Sequence, residues 1–190
     1  MIPDEPTRCE TEKPMIPAMQ PIPGADDLLT HLRSFCFPWR ALTIAIDGRN
    51  GAGKSSLARY LAWQLGMPVL ETDLWLSSMS PVTHRIGDLG EMVQSRHRQG
   101  RPVIIEGIMM LRTLELIGVQ PDYFIVVTNE AEAEPEDDDE DRGAPQCLSE
   151  EVDAYLRERQ PAKRADFRLT WREPEVRMSV TDGTADIDLR

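Results

Sequence analysis

Between Gly48 and Ser56 the chain reads GRNGAGKSS: a glycine, four residues, a second glycine at Gly53, then Lys54, Ser55 and Ser56. This is the Walker A spacing. Its glycines let the backbone turn back on itself, so that the N–H groups of Gly48, Arg49, Asn50, Gly51, Ala52 and Gly53 can face one concavity and hydrogen-bond phosphate oxygens. A helix starting at the end of the bend would add a field favourable to anions. Lys54 is then expected to reach the β and γ phosphates of a nucleoside triphosphate such as ATP, and the Ser55 hydroxyl to ligate Mg2+, with Ser56 completing the binding stretch. The competing reading is an ordinary glycine turn ahead of a helix.

Magnesium prefers oxygen ligands and keeps several waters, so one or two carboxylates near the phosphates suffice. Asp47, Asp73 and Glu106 each fall at the carboxyl end of an expected strand, where open α/β sheets bind their ligands. Asp47 and Glu106 are the candidate metal carboxylates, although Glu106 could instead cap the next helical turn. Transfer of a phosphoryl group to a hydroxyl also needs a carboxylate that orients the acceptor and takes its proton. In ETDLWL, Glu71 and Asp73 lie on one side of an extended chain. Asp73 is the preferred base, against a role in capping the turn at Leu74. Trp75 can stack on a planar acceptor or serve as core. Among the cations, Arg49 lies in the bend, Arg85 can overhang a pocket opposite Asp73, and Arg142 sits beside an acidic run.

The surrounding sequence supplies elements to carry these groups. DDLLTHLRSFC, residues 26–36, spaces Leu28, Leu29 and Leu32 as a helix whose first turn the aspartates can cap. ALTIAID, residues 41–47, is an almost unbroken apolar run, the pattern of a parallel strand covered on both faces. SSLARYLAWQLG then has helical spacing, with Gly66 as a stop. A short strand should end near Glu71 or Thr72, and residues 81–99 read as a helix after Pro81. Further strands are expected at 101–107, 121–128 and 165–171, with helical turns in MLRTLELIG. Another helix, capped by Ser149, should end before Pro161. EVRMSV is an edge strand or hairpin partner. The expected fold class is a three-layer α/β/α domain around a mostly parallel five-stranded sheet, spanning residues 25–181.

Two segments stand apart from that domain. Residues 1–24 form a proline-rich leader without a hydrophobic period, and 130–147 an acidic loop with nine carboxylates between Glu130 and Asp141, whose like charges resist compaction. Residues 182–190 read as a polar, frayed tail. A formal net charge of -12 argues against a nucleic-acid partner, because affinity for that backbone comes from clustered Lys and Arg. No window approaches the roughly 20 apolar residues of a membrane span, and the leader lacks a basic start followed by an apolar run. Cys9, Cys36 and Cys147 show no metal-binding spacing and read as reduced thiols. A cytoplasmic protein is expected. His31 and His97 read as wet helix-surface residues.

The segments IAIDGRNGAGKSSLA, ETDLWL and RPVIIEGI resemble the uridine kinase and phosphoribulokinase branch of the small P-loop kinases, and more loosely the nucleoside monophosphate kinases. The resemblance covers roughly residues 41–170. It implies that Asp47 and Gly48 open the phosphate loop, that Lys54 and Ser55 contact phosphate and magnesium, and that Asp73 and Glu106 match the acceptor-side aspartate and the acidic residue of the third motif strand. YLRERQPAKRAD, Tyr155 to Asp166, looks like the segment leading into the last core strand. The lid departs from the pattern. Where related kinases carry several arginines, this chain has NEAEAEPEDDDEDRG, with Arg142 its sole basic residue.

Two functions follow as expectations, together with a third, catalytically silent binding protein, that intact Lys54, Ser55 and Glu106 disfavour. The first is an ATP- and magnesium-dependent kinase of a small hydroxyl compound, such as a nucleoside, with Asp73, Lys54, Glu106, Arg85 and Arg142 as its catalytic set. The alternative is an NTP hydrolase or nucleotide-regulated switch that contacts a basic protein partner through the acidic loop. A homodimer is left open.

Overall fold

The computed structural model describes residues 22–79, 81–130, 146–171, 177–181 and 184–188. In chain order the elements are helix α1 (Ala25–Cys36), strand β1 (Thr43–Asp47), helix α2 (Lys54–Leu65), strand β2 (Val69–Glu71), a 3-10 turn (Thr72–Trp75), strands β3 (Leu76–Met79) and β4 (Val82–His84), and helix α3 (Ile86–Arg98). Strand β5 (Val103–Gly107), helix α4 (Met110–Leu116), strand β6 (Tyr123–Asn129), helices α5 (Gln146–Arg159) and α6 (Pro161–Arg164), strand β7 (Phe167–Trp171), and strands β8 (Arg177–Thr181) and β9 (Thr184–Asp188) complete the set.

Five strands form one sheet in the order β2-β5-β1-β6-β7, and every neighbouring pair is parallel. The two apolar runs explain its centre: β1 and β5 are buried at all their positions, as strands covered on both faces must be. Successive side chains point to opposite faces. Ile44 and Ile46 therefore join Leu28 and Leu32 of α1 and Leu57 and Leu61 of α2 on one side. Ala45 joins Leu89 and Val93 of α3 and Met110 and Leu114 of α4 on the other. The result is the expected three-layer α/β/α arrangement. Among the described residues no helix is long and apolar enough to cross a membrane.

Helix α2 keeps its expected limits, with Gly66 in the left-handed region donating its N–H to the Ala62 carbonyl. In α1 the expected face is buried, but Asp26 and Asp27 lie in its first turn instead of capping it through a side chain. The region after Pro81 differs more. Val82–His84 is a strand, paired antiparallel with Leu76–Met79, and the helix begins only at Ile86. Ser77 Oγ bonds the Thr83 carbonyl and hydroxyl at 3.1 and 3.0 Å, which adds side-chain ties across the short hairpin. Helix α5 starts at Gln146, so Ser149 lies inside it and is not its cap. Thr184–Asp188, read as part of a frayed tail, pairs with Arg177–Thr181 in a separate hairpin. Apart from 22–24, 130 and 146–147, the leader and the acidic loop lie outside the described residues.

Candidate active site

The glycine bend joins β1 to α2 at the carboxyl edge of the sheet. Gly51 and Gly53 have φ of 80° and 83°, a region that costs other residues backbone strain. Gly48 is required for a different reason: a Cβ there would collide with the Val127 carbonyl oxygen of the neighbouring strand β6. Between these fixed points Asn50 and Gly51 are exposed, so the bend opens to solvent. At the first position of α2, Lys54 is only 7% exposed and arches back to donate its Nζ to the Arg49 carbonyl at 2.6 Å. One residue on, Ser55 Oγ donates to Glu106 Oε1 at 2.8 Å.

Glu106 reaches Ser55 because β5 lies directly beside β1, with Glu106 in register with Ile46. It is 2% exposed, and burial raises its pKa above the ordinary range, opposed by the Ser55 hydrogen bond and the Lys54 charge. On the other flank of β5, β2 brings the 3-10 turn to the same edge. A cleft of about 410 Å³ results, lined by Asn50, Gly51, Gly53, Lys54, Ser55 and Ser56 on one wall and Asp73 on the other, with Glu106 between. Leu76, Met79, Ile108 and Leu148 give it an apolar margin. The bend, the serine–carboxylate pair and the candidate base thus meet in one cavity, although the sequence separates them by tens of residues.

No family model and no curated protein matches the sequence. Solved structures do. The chain superimposes on a possible uridine kinase from Bacillus stearothermophilus with a TM-score of 0.54 at 16% identity, over 76% of this chain and 96% of that one. A sugar kinase from Janibacter sp. matches with a TM-score of 0.48 at 18% identity, over 70% of this chain and 85% of that one. A shikimate kinase from Bacteroides thetaiotaomicron gives 0.38 at 17% identity, over 68% and 86% of the two chains.

The chain has a P-loop kinase-like fold. The first of these matches, the sheet order and the bend carry it together.

Within this P-loop fold, three expected site residues are used differently. Asp47 does not line the cleft: it is 1% exposed, its Oδ1 accepts the Gly48 N–H at 2.8 Å, and its Oδ2 accepts the Tyr155 hydroxyl of α5. Burial pushes its carboxyl up to about 6, against these hydrogen bonds, one from the Met110 N–H and the charge of Lys54. A carboxylate so engaged by protein donors is turned away from a metal in the cleft. Arg85 also stays outside, because its guanidinium bonds the Leu74 carbonyl at 2.9 Å and faces Asp88 at 3.6 Å. Arg49 is in the loop as expected, but its guanidinium reaches α5 and pairs with Asp153 at 2.5 Å. Arg142 lies outside the described residues.

The wall formed by the 3-10 turn sorts its carboxylates clearly. Glu71 is held by Arg59 through two bonds of 2.7 Å, which keep its carboxyl below the ordinary range. Asp73 is exposed and faces the cleft. Trp75 is half-buried, packs against the core cluster around Leu89 and Ile105 and does not line the cleft. His84, which the sequence did not single out, lies close enough to Asp73 to feel its charge, and its Nε2 is buried without a hydrogen-bond partner. Burial lowers its pKa. No motif marks this histidine; only the β3–β4 hairpin brings it there. His31 is exposed as expected, whereas His97 is half-buried with its Nε2 3.2 Å from Thr43 Oγ1.

Proposed function

We propose that the protein is an ATP- and magnesium-dependent phosphotransferase acting on the hydroxyl of a small molecule, a nucleoside or a related metabolite. The observation that supports this most is the convergence of Lys54, the Ser55–Glu106 pair and Asp73 on one cleft. The donor set fits the groups required. Backbone amides of the bend and the Lys54 ammonium suit the phosphates of a triphosphate, and a hydroxyl oxygen paired with a buried carboxylate suits magnesium, which takes few protein ligands. When bound, the metal neutralises charge on the transferred phosphoryl group.

The chain's own residues do the rest. Lys54 exchanges its bond to the Arg49 carbonyl for phosphate oxygens while remaining shielded from water, which strengthens its field. Glu106 keeps Ser55 oriented and gains a reason to stay ionised when a cation arrives. Asp73, exposed and without the arginine clamp that occupies Glu71, orients the acceptor hydroxyl and accepts its proton. The apolar margin of Leu76, Met79, Ile108 and Leu148 covers the body of the acceptor and excludes water from the transfer.

One observation favours a second reading, the NTP hydrolase or switch. Nine carboxylates between Glu130 and Asp141, with Arg142 as the sole cation, replace the arginines of a kinase lid and would attract a basic protein. A single assay separates the two. The protein is incubated with ATP and magnesium against a panel of hydroxyl acceptors, beside a control without acceptor. Acceptor-dependent appearance of a phosphorylated product supports the kinase. ATP loss that ignores acceptors and rises with a basic protein supports the switch, and no nucleotide affinity at all refutes both.

A further inference from the structure

Helix α5 touches the phosphate loop at two points, and neither belongs to the cleft. Tyr155, 5% exposed, packs with Val82, Met109, Leu148 and Val152 in a small apolar cluster, and its hydroxyl donates to Asp47 Oδ2. The same oxygen accepts the Leu111 N–H at 3.3 Å. A buried hydroxyl that both accepts and donates has a defined orientation. Its acceptor, Asp47, holds the Gly48 N–H at 2.8 Å, which sets the plane of the first peptide of the bend. Two residues earlier on α5, Asp153 grips the guanidinium of Arg49, whose carbonyl in turn holds Lys54 Nζ. Both of these links from the helix to the loop therefore end on residues that must point correctly for the bend to receive phosphate.

We propose that Tyr155 is a positioning residue of the phosphate loop, acting through Asp47 so that the placement of α5 sets the affinity for a nucleoside triphosphate. This rests on the nucleotide-binding part of the function proposed above. Asp47 is the intermediate because it joins the helix to the bend, taking the Tyr155 hydroxyl at Oδ2 and the Gly48 N–H at Oδ1, with the Met110 N–H as a further donor: without the Tyr155 hydroxyl, a buried carboxylate loses one of its protein donors and must turn toward those that remain. The charge of Lys54 already acts on Asp47, so the displaced carboxylate would compete with phosphate for the ammonium. The loss would then appear in ligand affinity and not only in stability.

The test uses the full chain as wild type, Tyr155→Phe, Asp47→Asn and the double variant, at a temperature where each is folded by circular dichroism. Titration calorimetry with magnesium-ATP should show about tenfold weaker binding for Tyr155→Phe, the size of one hydrogen bond to a charged group. In the Asp47→Asn background the same change should cost nothing further. Unchanged affinity for Tyr155→Phe, or a loss that adds in full to that of Asp47→Asn, would overturn the proposal. If wild type binds no ATP, the functional reading fails separately, and hydrogen exchange still decides the positioning role. Amides 48–53 should exchange faster in Tyr155→Phe while those of α3 do not, and equal rates would refute it. Asp153→Asn, at a 39% exposed site that spares the core, provides a second variant should Tyr155→Phe not fold; faster exchange at 48–53 is again expected and its absence counts against the helix.

Discussion

On the wall of the cleft formed by the glycine bend, Lys54 and Glu106 are 7% and 2% exposed and each is bonded to its neighbours, whereas on the opposite wall, the proposed acceptor side, Asp73 is exposed and Leu74 and Met79 are 67% and 44% exposed. The first wall is assembled from the two most deeply buried strands and the amino end of α2. The second hangs from a three-residue edge strand, a 3-10 turn and a hairpin of short strands. The difference matches the demands on each side. A triphosphate is the same for every acceptor and rewards a preorganised nest, while an acceptor needs a surface that can admit it and then close over apolar parts. Rigidity on one wall and exposure on the other are what a phosphotransferase of the proposed kind requires, and each can be attacked separately.

The largest effect is expected on the exposed wall. Asp73→Asn keeps the shape of the turn and removes the proposed base, so kcat for acceptor phosphorylation should fall by roughly 10²–10⁴-fold, the usual worth of a positioned general base. Affinity for magnesium-ATP should be unchanged, since the amides and Lys54 are untouched. Steady-state kinetics beside a calorimetric titration measures both quantities. Wild-type turnover in this variant would remove Asp73 from the mechanism and turn attention to His84, on which the Asp73 charge acts.

The converse variant attacks the buried wall. Gly48→Ala places a methyl group against the Val127 carbonyl, a backbone atom that cannot move aside as a side-chain tip can. The bend must shift, and magnesium-ATP affinity should drop about 100-fold, near 3 kcal/mol. A nucleotide affinity equal to wild type would show that the first residues of the loop do not shape the phosphate nest, and the contrast between the walls would lose its physical basis.

That contrast also explains how much could be read from the residues alone. The bend, β1, β5 and α2 were legible because glycine spacing, unbroken apolar runs and helical period are local patterns, each forced by the backbone it specifies. The β3–β4 hairpin was not: LSSM and VTH carry little apolar alternation, and Pro81 reads as a helix start, yet Val82 is buried against α5 and fixes a strand. The engagement of Asp47 is hidden from the sequence for a related reason. Its place at a strand end was visible, but the partner that occupies it lies 108 residues away on α5. Arg85 likewise stands where an arginine could overhang the cleft, and only the nearby Leu74 carbonyl and Asp88 show why it does not.

The smallest expected effect separates the two carboxylates of ETDLWL, which stand two residues apart and of which the sequence favours Asp73. Glu71 is clamped by Arg59, whose side chain is 64% exposed, and a pair so open to water contributes little to stability. Glu71→Gln should therefore lower the melting temperature by no more than roughly 2 °C and leave acceptor turnover within about twofold of wild type. The two variants form a matched comparison: each removes one carboxylate charge from the same turn, and only the one facing the cleft should abolish transfer. A collapse of turnover in Glu71→Gln equal to that in Asp73→Asn would mean that the turn acts as a unit, with Arg59 holding Glu71 so that Asp73 is presented, and the clamp would then belong to the acceptor wall as much as the base does.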